Sequence, residues 1–398
     1  MKHHSFRFLW MSQAIADCGD TFYIVGLIAI LYSQSGSPFV LALIPFVNMM
    51  ARFVSGFLSP LLMNRFSLKR LLVTSQTLKT IVLWLLIFYA GGPAANTVVL
   101  LSLVFVIAFL DGWAAPASHA MLPRLVPKED LVKANSFFSV VSETVNLGAW
   151  AVGGVIVAGT TGPFILLLTG VLYICAIALL ARIHDPVRFS PQTGERKPAG
   201  ELTAGWRLVW KCPLYRSLHV LIAFEAVANV AWIASILYVF VTEVLKKNEA
   251  WWGYINTTFF IGMLAGGIMC SRFAPLIENS LKRGILVSTA GISLLTALFG
   301  TAPWPWLSLV LVGCIGMFQQ WKGILTDATL QKEAAAEELP KIYAVQQTII
   351  SILFAAGSLA FGALAEFAGA RLVYMLASAL LALSALYAWR YRHHLQTN

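Results

Sequence analysis

Long apolar runs, each ended by a short connector rich in Pro, Gly, Lys and Arg, repeat along the whole chain. A helix needs about 20 apolar residues to cross the hydrocarbon of a bilayer, and closed barrels show short alternating segments instead, so these runs predict membrane-spanning helices. Reading them between turn signals places twelve spans, at about 6–33, 38–63, 70–91, 96–119, 133–159 and 163–181, then 214–241, 250–273, 284–301, 304–328, 340–365 and 370–390. The first run continues past the small residues Ala14-Ile-Ala16 to Tyr32, which reads as an uncleaved span rather than a signal peptide.

The expected fold is an all-α integral membrane protein of two six-helix bundles, residues 1–185 and 214–398. They are joined by a linker at 186–213, within a central connector at about 182–213 in which "DPVRFSPQTGERKPAGE" supplies the turn residues and charges. Within the linker, Leu202, Trp206, Val209 and Trp210 share a helical face beside Arg207 and Lys211. That face fits either a helix on the inner leaflet or one packed under the bundle.

Composition agrees with the pattern: 59% of the residues are hydrophobic and 12% charged, with a mean hydropathy of +0.76. The net charge of +10 does not point to nucleic acid, because the basic residues lie in connectors rather than on one polar face. Among the 28 Lys and Arg, Lys246, Lys247 and Arg371 fall on one side of the membrane, and Arg52, Lys79 and Lys322 fall inside spans. The rest lie on the opposite side. The positive-inside rule therefore puts both termini in the cytoplasm and the chain in the cell membrane as a multi-pass protein. Cysteines and histidines are scattered without metal-ligand spacing, so neither metal nor cofactor is expected. An enzyme would need a nucleophile or metal constellation that the sequence does not show.

Two stretches carry a resemblance. "NRFSLKRLL", residues 64–72, resembles the cytoplasmic D-R-x-x-x-R-K-R loop of the major facilitator superfamily, with Arg65, Lys69 and Arg70 matching. Asn64 stands where that loop has Asp, Leu68 where it has a basic residue, and Pro60 where Gly is usual. "LPRLVPKEDLVKAN", residues 122–135, with the glycine-rich fifth span that follows, resembles the drug:proton antiporter branch that includes macrolide-efflux and siderophore-export proteins. Ala149 and Trp150 replace the Gly-Pro of that branch. The resemblance implies a monomeric secondary transporter that moves a small amphipathic substrate by alternating access, surrounded by lipid and driven by proton entry. The alternative within the fold is a proton-independent carrier of a lysophospholipid or similar lipid.

Charges inside spans direct the search for a site, since each costs about 2.5–3.5 kcal/mol at mid-bilayer unless paired or hydrated. At a rise of about 1.5 Å per residue, Asp20 and Arg52 lie at similar depth and are expected to face each other, in a transport role or a structural ion pair. Asp17, three residues before Asp20, shares its face. Gly19-Asp20 matches a Gly-Asp of the family's first span, which favours Asp20. Lys79, Asp111 and Glu143 form a second expected network nearer the cytoplasm. Glu225 has no basic residue at matching depth in the second half and is expected to be unpaired, whereas Lys322 and Asp327 read as lying near the cytoplasmic end of span ten. Proton coupling is assigned to Asp20 with one of Asp111, Glu143 or Glu225. The small-residue runs "GAWAVGG" and "GMLAGG" predict surfaces where helices approach closely.

Overall fold

In the computed structural model, described for residues 4–35, 38–63, 65–92, 96–160, 162–186, 203–248, 250–275 and 281–391, every long element is a helix. The first six are α1 (His4–Ser35), α2 (Pro38–Met63), α3 (Leu68–Ala90), α4 (Thr97–Leu125), α5 (Leu131–Gly159) and α6 (Gly162–Ala181). After them come the short α7 (Ala204–Lys211), α8 (Pro213–Ala228), the six-residue α9 (Ala234–Val239), α10 (Ala250–Arg272), α11 (Leu281–Thr301), α12 (Pro305–Glu333), α13 (Leu339–Ala368) and α14 (Ala370–Arg390). Ten helices among the described residues are long and apolar enough to cross a membrane. α1 and α5 match them in length.

Span seven departs from the continuous helix expected over 214–241. α8 gives way to a 3-10 turn at Asn229–Trp232, Ile233 is extended with φ −63° and ψ 150°, and α9 runs into a π-helical turn at Phe240–Val244. Broken backbone at membrane depth is tolerated where protein covers it. Val230, Ala231, Phe240 and Val241 are fully buried, which meets that condition.

The chain forms two compact units. One contains Met1–Pro127, Thr144–Trp206 and Ala335–Thr348; the other contains Lys128–Glu143, Arg207–Ala334 and Ile349–Asn398. In the first, α1 packs on α6, α2 on α4, and α3 on both α4 and α6. In the second, α8 packs on α14, α10 on α12, and α11 on both α12 and α14. Each helix of the first set thus has a counterpart six spans later with the same partners, a repeat that sequence periodicity alone did not display. Each unit has its own apolar core, built around Leu27, Leu31, Leu83 and Leu100 in the first and Val230, Phe240, Phe299 and Val373 in the second.

Small residues set the closest approaches. A Cβ on Gly262 would stand 2.0 Å from the Gly313 carbonyl oxygen, and one on Gly316 2.3 Å from that of Phe259, so α10 and α12 meet backbone to backbone. The "GMLAGG" expectation therefore describes a real contact. "GAWAVGG" is mixed: Gly153 lies against Phe22 of α1, while Gly148 has nothing within 4 Å and Trp150 is exposed. In α7, Val209 is buried and Trp210 exposed, so the two do not share one buried face, and Leu202 lies outside the described residues.

Candidate functional site

Five helices of the first unit bring four charges and a phenol together. Lys79 of α3 is almost wholly buried and places its Nζ 2.6 Å from Asp20 Oδ1 of α1 and 3.0 Å from Asp111 Oδ1 of α4. Arg52 of α2 reaches Asp111 Oδ2 at 2.5 Å through its NH2 and donates from Nε to Asn48 Oδ1 at 3.0 Å. Tyr173 of α6 donates its hydroxyl to Asp20 Oδ1, and the Lys79 ammonium stands 4.9 Å from its ring centroid. Two carboxylates thus face two cations, and the cluster is neutral. That balance is what lets charge persist at this depth.

The local sequence explains how the helices come so close. Each carboxylate has a glycine neighbour, in Gly19-Asp20 and Asp111-Gly112. A Cβ at Gly19 would lie 2.8 Å from Tyr173 Cε1, and one at Gly112 would lie 2.6 Å from the Ser55 side chain and 3.3 Å from Arg52 Cα. The missing methyls let α6 and α2 bring Tyr173 and Arg52 into reach.

The two oxygens of each carboxylate are used differently. Asp111 gives one oxygen to Lys79 and the other to Arg52, so both are held by cations. Asp20 receives Lys79 and Tyr173 on the same Oδ1, and no described group engages its Oδ2. The side chains of Asp20, Asp111 and Arg52 retain 29%, 22% and 32% of their exposure, against 3% for Lys79, so the cluster is buried at its lysine and open at its rim.

This arrangement corrects the expected pairing. Asp20 pairs with Lys79 rather than Arg52, and Arg52 pairs with Asp111. Depth counted along a helix gives a height and not a direction around the axis, so it could not choose between two cations of similar height. Glu143 is not a member of the Lys79–Asp111 network: it is half-buried, and no described residue forms an ion pair with it. Tyr173 was missed. Its signal was faint: it is one of very few polar side chains in the apolar α6.

In the second unit Glu225 is paired, contrary to expectation: its Oε2 lies 2.6 Å from Lys322 Nζ, with 19% and 3% side-chain exposure respectively. The ammonium is poorly aligned for a hydrogen bond, so the attraction is mainly coulombic. The reason for the misreading is helix length. α12 continues to Glu333, eleven residues beyond Lys322, which raises the lysine about 16 Å from the helix end and to a depth similar to that of Glu225.

At the loop before α3, the Ser67 hydroxyl accepts from the Arg70 N–H at 3.3 Å and caps the helix. Arg65 and Arg70 are exposed and Lys69 half-buried; among the described residues none of the three forms an ion pair, and Asn64 lies outside them.

Comparison with known proteins decides what this charged bundle belongs to. The family described as transmembrane secretion effector matches residues 1–397. The chain belongs to this family of major facilitator transporters. It is 26% identical over 381 residues to the uncharacterised MFS-type transporter YfmI of Bacillus subtilis (strain 168), covering 95% of this chain and 94% of that protein. It is 24% identical over 248 residues to the enterobactin exporter EntS of Escherichia coli O1:K1 / APEC, covering 60% and 57% of the two chains. Its fold is similar to a bacterial homologue of the iron transporter ferroportin in an outward-facing state, with a TM-score of 0.79 at 12% identity over 97% of this chain and 99% of that one. The transporter is therefore a multi-pass membrane protein of the major facilitator fold that carries a small molecule, and it is not an enzyme.

Proposed function

We propose that this transporter exports small amphipathic molecules by alternating access, with proton entry at Asp20 driving substrate exit. The observation that carries this reading is the free oxygen of Asp20. Protonating Oδ2 removes one carboxylate charge from the cluster, yet Lys79 keeps Asp111 as its counter-ion, so no buried ammonium is stranded. Asp111 offers no such oxygen, and protonating Glu225 would leave Lys322 alone in a buried position. Of the three carboxylates that could serve with Asp20, Glu143 has no ion-pair partner among the described residues, and we assign the second proton site to it.

The six-span halves 1–185 and 214–398, joined by residues 186–213, supply the two bodies that alternating access requires. Basic connectors support cytoplasmic termini in the cell membrane, and the family resemblance implies a monomer surrounded by lipid. The relative named as an enterobactin exporter supports outward transport. Arg65, Lys69 and Arg70 are assigned to the cytoplasmic gating loop by their resemblance to the family's basic loop.

The test is efflux of ethidium, a fluorescent amphipathic probe, from proteoliposomes with and without an imposed pH gradient. The expected result is gradient-accelerated flux in the wild type that Asp20→Asn abolishes and Glu143→Gln reduces. Gradient-driven flux that Asp20→Asn leaves unchanged would refute the role of Asp20. Flux of a lysophospholipid that ignores the gradient would favour the proton-independent lipid carrier instead.

A further inference from the structure

The four charges of the first unit are linked in a row that does not close. In order they are Asp20, Lys79, Asp111 and Arg52, with contacts of 2.6, 3.0 and 2.5 Å along it, and no ion pair joins Asp20 to Arg52. The inner two are saturated: Lys79 is almost wholly buried between two carboxylates, and both Asp111 oxygens are held by cations. The outer two are not. Asp20 uses only Oδ1, and no described group engages its Oδ2. Arg52 uses NH2 on Asp111 and Nε on Asn48, and no described group engages its NH1. Neither open atom is sealed in the protein, and the two side chains keep 29% and 32% of their exposure.

A row that ends in an anion on one side and a cation on the other is complementary to a dipolar ligand. A ligand with a single charge would add that charge, uncompensated, to a neutral cluster at membrane depth, where charge is penalised. A ligand with a cationic group for Asp20 Oδ2 and an anionic group for Arg52 NH1 closes the row and keeps it neutral. We propose that this cluster binds zwitterionic amphipathic substrates, with the cationic group on Asp20 and the anionic group on Arg52. The proposal rests on the reading of the protein as an exporter of small amphipathic molecules and narrows their class. Arginine suits the anionic end because its planar fork keeps directed donors when two of its nitrogens are occupied, and Asn48, four residues earlier on α2, fixes the fork from Nε. Met49, three residues before Arg52 and on the same face, is half-buried and offers adaptable apolar surface to the body of the substrate. A cation alone engages only the Asp20 end and is held more weakly.

The test is equilibrium binding to the purified full chain in a neutral detergent, at neutral pH and with no gradient, read by fluorescence polarisation. Three probes share a xanthene scaffold: rhodamine B is a zwitterion, its ethyl ester keeps only the cation, and fluorescein keeps only anionic groups. The zwitterion is expected to bind about tenfold more tightly than either of the others. Arg52→Gln should erase its advantage over the ester and leave the ester's own affinity unchanged, whereas Asp20→Asn should weaken both rhodamines alike. Arg52→Gln/Asp111→Asn removes the cationic end while Lys79 stays paired with Asp20, so it gives the same readout should the single change fail to fold. Binding of the ester or of fluorescein as tight as that of the zwitterion overturns the proposal. So does an equal loss of both rhodamines on removal of Arg52, or binding of none of the three probes. Proton coupling does not enter this measurement. Ethidium flux that ignores a pH gradient would refute proton-driven export and leave the zwitterion preference standing, while equal binding of zwitterion and ester with gradient-driven flux intact would refute the substrate class alone.

Discussion

Asp20 and Asp111 share one ammonium, since Lys79 Nζ lies 2.6 Å from the first and 3.0 Å from the second. Substitutions in this triangle should therefore be unequal. Lys79→Met leaves Asp111 with Arg52 alone and Asp20 with no cation, and is expected to cost about 3 kcal/mol, the low end for breaking a buried pair because Asp20 keeps some exposure. Asp20→Asn leaves Lys79 with Asp111 and should cost much less. Thermal unfolding in detergent would show the ranking, and the double variant Lys79→Met/Asp20→Asn should recover part of the loss. Equal destabilisation by the two single changes would mean that the ammonium is not shared.

The glycine beside Asp111 is the second lever. Gly112→Ala would put a Cβ 2.6 Å from the Ser55 side chain and 3.3 Å from Arg52 Cα, so a side chain and the α2 backbone must both give way. Overpacking of this kind costs about 1–3 kcal/mol. Because the displaced atoms carry Arg52, the loss of transport activity should exceed what the lowered stability explains. Gly148→Ala, which meets nothing within 4 Å, is the matched control and should be near neutral in both measurements.

What was legible in the sequence follows from what hydropathy and spacing encode. Span length and connector charge depend on one helix at a time, which is why twelve spans and the membrane class were readable from apolar runs. Pairing depends on rotation about each axis and on where a helix truly ends. Depth alone therefore pairs Asp20 with the wrong cation and puts Lys322 too near the end of a helix that runs on to Glu333. The broken span seven was not foreseen either. Its run Ala226–Ser235 holds no Pro or Gly, and the break is sustained by the packing that buries Val230 and Ala231. The charged residues themselves were found, because each one stands out in an apolar run.

The ion pair of the second unit offers a rescue experiment. Glu225→Gln strands the Lys322 ammonium, which keeps only 3% of its side-chain exposure, and is expected to lower stability by about 3–5 kcal/mol. Adding Lys322→Met removes the stranded charge, so the double variant should unfold at a higher temperature than Glu225→Gln alone. If the double variant is the less stable of the two, Lys322 has a structural role that does not depend on Glu225.

The last prediction concerns the end of α12. Asn135, the Asn of "LPRLVPKEDLVKAN", donates to Gln331 Oε1 at 2.6 Å and accepts from Gln331 Nε2 at 3.3 Å, and both side chains are buried. The Lys128 ammonium donates to the Lys332 carbonyl at 3.2 Å and the Tyr215 hydroxyl to that of Glu333 at 3.3 Å, satisfying acceptors that a helix C-terminus leaves open. Asn135→Ala removes both members of the reciprocal bond and leaves the Gln331 amide buried with fewer partners, at an expected cost of about 1–3 kcal/mol. Asn135→Ala/Gln331→Leu deletes the stranded amide and should cost less than the sum of its single changes, which a double-mutant cycle on unfolding free energy would reveal. A coupling energy near zero would mean that the two amides are neighbours without being partners. Lys128→Ala, which removes an exposed helix cap rather than a buried bond, should move stability by less than about 1 kcal/mol.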